Sequence, residues 1–179
     1  SMFGGAASRQ TLADIYKSSS DPAVKKAVLQ AFMIGGDKER LLAAGKGEAD
    51  PSLRRAAIQQ LGVMSAQDEL WQMYGAESSV DVKKAIQQAL FVGGSSGRLI
   101  ELVKVEKDVG LRLSAVRNLG LMGAPDAHAA LEALYKNESD VRVREAVLEA
   151  FFVGGNAKRL IEVARTEKDP RLKRKAVQH

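Results

Sequence analysis

Asp50-Pro51-Ser52-Leu53-Arg54-Arg55-Ala56-Ala57-Ile58-Gln59-Gln60-Leu61-Gly62 is the stretch on which the fold turns. Asp-Pro at its head is a helix start. The carboxylate can accept a hydrogen bond from a free N–H of the first turn, and the proline ring already holds a helical φ. The same stretch returns along the chain. Segments beginning at Asp21, Asp50, Ser79, Asp108, Asp140 and Asp169 lie 29, 29, 29, 32 and 29 residues apart. Three residues after each start stands Val or Leu: Val24, Leu53, Val82, Leu111, Val143 and Leu172. Four residues after it stands a base: Lys25, Arg54, Lys83, Arg112, Arg144 and Lys173. Eleven residues on, a large apolar residue recurs: Phe32, Leu61, Leu90, Leu119 and Phe151. Columns of this kind are the signature of a repeat architecture.

Each segment reads as two helices. Val24, Ala27, Val28, Ala31 and Phe32 fall at i, i+3, i+4, i+7 and i+8, the apolar stripe of a helix with one buried face. Val82, Ala85, Ile86, Ala89 and Leu90 repeat that stripe, as do Val143, Ala146, Val147, Ala150 and Phe151. Gly35-Gly36, Gly93-Gly94 and Gly154-Gly155 then stop the first helix. Asp37, Ser95 and Asn156 follow directly as caps of the second. The 32-residue spacing places three extra residues in the turn at Ala124-Pro125-Asp126, where length is cheap.

Odd and even segments differ. Twelve residues after the start the chain reads Met33, Gly62, Phe91, Gly120 and Phe152; fourteen after it, Gly35, Met64, Gly93, Met122 and Gly154. The alternation predicts that each bulky side chain fills the space a neighbouring glycine leaves. Leu12, Ile15 and Tyr16 match Leu70, Met73 and Tyr74 at a distance of 58. Residues 9–17 therefore read as a second helix without its first, and Leu172 to Gln178 as a first helix without its second. The expectation is an all-α solenoid of about five full helix pairs with a half repeat at each end. Residues 1–8 are expected to be a tag remnant or tail, and 9–179 a fragment of a longer array. Uncapped ends of this kind allow end-to-end self-association.

Two-helix units opening Asp-Pro-x-[Leu/Val]-[Arg/Lys]-[Arg/Lys]-Ala resemble HEAT-like repeats, closest to the short bacterial type also seen in phycobilisome lyase relatives. The resemblance covers about residues 9–179. It implies a right-handed superhelix, an α–α solenoid with first helices on the convex side and second helices on the concave side. It also implies a scaffold that binds other macromolecules along the concave surface. Deoxyhypusine hydroxylases carry this fold with His-Glu pairs, and this chain has none. No motif supports a phycobilin lyase or a HEAT-like DNA glycosylase.

Composition narrows the chemistry. The 179 residues include no Cys and two His, His128 and His179, so no cysteine nucleophile, disulfide or Cys/His metal cluster is expected. Twenty-seven Lys and Arg against 22 Asp and Glu give +5. No apolar run reaches the length of a membrane helix. The glycine pairs lack the context of a nucleotide-binding loop. Neither an enzyme, a cofactor nor a metal is expected, and the sequence does not fix a compartment.

Three columns remain as candidate sites. The start Asp and the base four residues on (Asp21/Lys25, Asp50/Arg54, Asp108/Arg112, Asp140/Arg144, with Lys83 beside Ser79) read as a structural ladder: Asp caps the helix, and the base bridges to Asp in its own or the next segment. Glu48, Glu77, Glu106, Glu138 and Glu167 stand just before each first helix, where acid suits the helix dipole. Arg40, Arg98 and Arg159 hold one position near the start of the odd second helices. Arg98 reaches Glu101 and Arg159 reaches Glu162 at i+3, while Arg40 faces Ala43. This Arg row is the candidate receiver of an acidic protein or peptide, extended six residues on by Lys46, Lys104 and Arg165, with Lys17 and Lys136 in the even rows. Trp71 shares a column with Leu42, Ile100, Ile161, Glu132 and Ala13, so it reads as a half-exposed anchor. Tyr16, Tyr74 and Tyr135 read as core rings with the hydroxyl at the edge. The expected function is a protein-interaction scaffold. Nucleic-acid binding through the basic columns is the alternative, disfavoured by interleaved acids and 5% aromatic content; a spacer role in a larger protein is another.

Overall fold

The computed structural model describes residues 5–178. Residues 1–4, the start of the expected tag remnant or tail, and His179 lie outside the described residues. Among the described residues are twelve α-helices and no strand. The chain divides into two compact units, one ending at Ser95 and one beginning at Ser96.

The first unit holds α1 (Ala6–Ser18), α2 (Pro22–Ile34), α3 (Lys38–Gly47), α4 (Pro51–Val63), α5 (Gln67–Ala76) and α6 (Val80–Val92). The second holds α7 (Ser96–Val105), α8 (Val109–Met122), α9 (Pro125–Asn137), α10 (Val141–Val153), α11 (Ala157–Thr166) and α12 (Pro170–Gln178). Within each unit the first helices pack side by side, α2 on α4 on α6 and α8 on α10 on α12. α3, α5, α9 and α11 each lie against the first helices on either side, while α1 packs on α2 and α7 on α8. This consecutive packing is that of a helical repeat protein.

Local signals explain the helix ends. Asp21, Asp50, Asp108 and Asp140 each accept a bond from the first turn of their own helix, and Pro stands first in α2 and α4. Asp37 and Asn156 cap α3 and α11. The chain reverses fifteen residues after each start through a left-handed residue: Gly36 (φ 74°), Ser65 (φ 55°), Gly94 (φ 70°), Gly123 (φ 61°) and Gly155 (φ 73°). Only Ser65 carries a Cβ into that strained region.

One core column escaped the stripe read from sequence. Leu29, Ile58, Gln87, Val116 and Leu148, eight residues after each start, are all 0% exposed. Gln87 meets the cost of burial partly by donating to the Tyr74 hydroxyl at 3.3 Å.

Three expectations are corrected. The stripe is buried in α10 and, apart from half-buried Ala85, in α6, but only partly in α2, where Val24 is 38% exposed against 5% for Val82 and 0% for Val143. No other first helix covers that side of α2 among the described residues. The three-residue insertion lengthens a helix, not a turn: α9 has 13 residues where α5 has 10. Pro125, at the head of α9, is compatible with a first turn.

The third correction concerns the glycines. Gly62 and Gly120 do not receive bulky neighbours, although Gly154 has the His128 ring 2.8 Å from where its Cβ would stand. A Cβ on Gly62 would lie 2.8–2.9 Å from the backbone and Cβ of Ala89, and one on Gly120 would lie 2.6 Å from the Cβ of Ala150. Phe152 instead points outward, 51% exposed. Glycine here allows two first helices to touch backbone to backbone.

Candidate functional site

Four of the first-helix bases are tied, though not to aspartate. Lys25 Nζ lies 3.8 Å from Glu48, Arg54 pairs with Glu77, Arg112 with Glu138, and Arg144 with Glu167 at 2.6 Å. The expected bridge to Asp fails because each start Asp is engaged by N–H groups of its own helix. The longer Glu, two residues ahead of the next start, carries its carboxylate to the base. Arg142, two residues ahead of the column base Arg144, does bridge to its start Asp140, at 2.8 Å. The same glutamates accept backbone N–H groups, Glu77 from Ser79 at 2.9 Å and Glu138 from Asp140 at 2.8 Å. One carboxylate thus fixes both the guanidinium of one helix and the turn into the next.

Tyrosine joins two of these clusters. Tyr16 donates to Glu48 at 2.6 Å and Tyr135 to Glu167 at 2.5 Å. Lys25 stands 4.8 Å over the Tyr16 ring, Arg144 4.6 Å over Tyr135 and Lys83 4.9 Å over Tyr74. Burial, then the bonded Glu, pushes both the Tyr16 and the Tyr135 hydroxyl far above the usual range. The Tyr16 bond leads in holding Glu48 below its ordinary value. Burial pulls Glu77, Glu138 and Glu167 upward, but backbone N–H groups, the paired guanidinium and, for Glu167, the Tyr135 hydroxyl outweigh it, and all three end low. Tyrosines driven up beside glutamates driven down are the reverse of an acid–base pair poised near neutrality. The clusters are struts.

The Arg row is also committed. Arg40 donates to Asp37 at 2.6 Å and to Gln10 at 3.2 Å, so its partner is the cap three residues before it, not Ala43. Arg98 holds Glu101 at 2.9 Å. Arg159 holds Glu162 and, at 3.1 Å, Glu132. The second row differs. Lys46, Lys104 and Arg165 are exposed, as are Lys17 and Lys136, and none has an ion-pair or hydrogen-bond partner through its side chain among the described residues. Each sits in the last or next-to-last turn of a second helix, where the helix dipole favours a cation.

Four residues before these cations, on the same helix face, runs the Trp71 column. Leu42, Trp71 and Ile100 are half-buried and Ile161 is 54% exposed. Trp71 stacks on Tyr74, their ring centroids 6.4 Å apart and planes 9° from parallel. Tyr74 is buried and Tyr16 and Tyr135 half-buried. The odd second helices therefore present an apolar side chain beside a free cation, Leu42 by Lys46 in the first unit and Ile100 by Lys104 and Ile161 by Arg165 in the second, whereas Lys17 stands by buried Ala13 and Lys136 by Glu132, which holds Arg159.

The sequence reading passed over one exposed column. Ile34, Val63, Val92, Leu121 and Val153, thirteen residues after each start, are 56–60% exposed at the ends of the first helices. Aligning the segments one position further would have shown it. Among the described residues no group of three or more His, Cys, Asp and Glu could hold a metal ion, and no helix is long and apolar enough to cross a membrane. No protein-family model matches the chain, and neither does any curated protein.

Proposed function

We propose that this chain is a non-enzymatic protein-binding scaffold of HEAT-like repeats, a right-handed superhelix whose second helices form the concave side and receive an acidic protein or peptide. The observation that supports this most is the free cation column beside the half-exposed apolar column. Lys46, Lys104 and Arg165, with Lys17 and Lys136, make the first electrostatic contact. Trp71, Ile100 and Ile161 supply apolar anchors. Arg40, Arg98 and Arg159 stand behind as holders of the surface carboxylates. Four bases of the first helices on which a phosphate track would rest, Lys25, Arg54, Arg112 and Arg144, are engaged by the glutamate struts.

Fluorescence anisotropy with labelled poly-Glu, titrated across salt, tests this reading. Reversing Lys46, Lys104 and Arg165 together to Glu is expected to weaken binding at least about tenfold without changing the midpoint of unfolding, each rim charge contributing a few tenths to about 1 kcal/mol. Reversing Arg40, Arg98 and Arg159 is expected to lower stability more than affinity. Unchanged affinity in the first variant, or tighter and more steeply salt-dependent binding to duplex DNA, overturns the proposal.

A further inference from the structure

In the second unit, α7 and α9 flank an apolar groove of about 240 Å³ floored by Leu119 of α8. Ile100 and Val103 form one wall and Leu134 the other. Only two polar side chains reach its lining, Lys104 and Asn137. The Asn137 amide is engaged, donating to the Ala133 carbonyl at 2.9 Å. Lys104 is the free cation described above.

The matching positions of the first unit show how the groove arises. There Gly45 stands where Val103 does. Met73 lies over it, so near that a Cβ on Gly45 would be 2.7 Å from the Met73 Cε, and Met73 is 3% exposed. In the second unit valine takes up that seat. The shorter Leu134 replaces Met73 and is left half-exposed, and Ala130 and Ala133 replace Glu69 and Gln72. Alanines thus line the groove at the positions where the first unit carries Glu69 and Gln72.

We propose that this groove is the docking site for one large apolar side chain of an acidic partner peptide, with a neighbouring carboxylate of that peptide on Lys104. The inference rests on the scaffold reading and gives it an address. The space is below the ~300–1,000 Å³ of a small-molecule site but suits an anchor side chain. The charge at its rim has one sign and no internal partner, which selects an acidic flank.

Methyl-labelled protein titrated by NMR with acetyl-Glu-Glu-Leu-Glu-Glu-amide, to about 1 mM, tests it. Saturable shifts are expected at Ile100, Val103, Leu119 and Leu134. Replacing the peptide's Leu by Ser should abolish them. Ala133→Gln restores the long side chain of the first unit at an exposed helical site that tolerates it. It should weaken binding at least about tenfold, the loss of a buried anchor. Lys104→Glu should weaken it about two- to fivefold. The unshifted methyls outside the groove report that each variant is folded. If the peptide binds with equal strength to Ala133→Gln, or without shifts at the four methyls, the groove is overturned while the cation column stands. If poly-Glu binds and the Leu peptide does not, the groove again falls alone. If no acidic probe binds, both fall.

Discussion

Gly62 of α4 lies against Ala89 of α6 in the first unit, and Gly120 of α8 against Ala150 of α10 in the second. In both, a Cβ on the glycine would stand under 3 Å from the facing helix. The second helices of the same two units differ. Gly45 seats a buried Met73 in one, whereas Val103 faces a half-exposed Leu134 in the other. Positions that bring backbones together leave no room for change. A position that only decides which side chain covers a groove is open to it, and there a repeat can acquire an individual surface.

The strongest way to break this comparison is to overfill both crossings. Gly62→Leu and Gly120→Leu should each cost about 3 kcal/mol or more by denaturant unfolding, because backbone, not a flexible side chain, is what the new atoms meet. A loss in only one unit would show that the crossings are not equivalent. Next comes the second-helix layer. Met73→Ala should cost about 2–5 kcal/mol and Leu134→Ala about 1–2 kcal/mol, since the second side chain is already half in water. Equal costs would erase the distinction between the seat and the groove.

The glutamate struts occur in both units and should respond alike. Glu77→Gln and Glu138→Gln should each cost about 1–2 kcal/mol at neutral pH, the worth of charge-assisted bonds. Both carboxylates are held below their ordinary value of 4.5 in the folded chain. Their contribution is therefore complete above about pH 5 and lost as pH falls through the folded value. Wild type and variants should converge in stability on acidification; a gap that persists would assign the loss to packing. The smallest effect is a gain. Ser65→Gly, at φ 55° where the other segments have glycine, should stabilise the first unit by about 1 kcal/mol.

Much of this was legible in the sequence, for reasons visible in particular residues. Asp-Pro starts and Gly-Gly stops are local chemistry, so the helix pairs of the segments could be placed. The i+3 partners of Arg98 and Arg159 follow from helix geometry alone. What could not be read were the contacts between helices. Gly62 and Phe91 differ in bulk and invite pairing, but the partner of Gly62 is Ala89, two residues earlier, and only packing decides that. Lys25, Arg54, Arg112 and Arg144 each have an Asp four residues before them and their Glu partner more than twenty after. Sequence distance favours the nearer acid, but the fold brings the farther one to the base. Arg40 has no acid at i+3, yet it holds its own cap, Asp37, three residues before it.

The account depends on the division of basic residues into tied struts and free cations, and lysine reactivity reads that division directly. Brief reductive methylation of the folded chain, quantified residue by residue by mass spectrometry, should modify Lys17, Lys46, Lys104 and Lys136 several-fold faster than Lys25, which is held by Glu48 and covers Tyr16. Equal rates across these five lysines would contradict it.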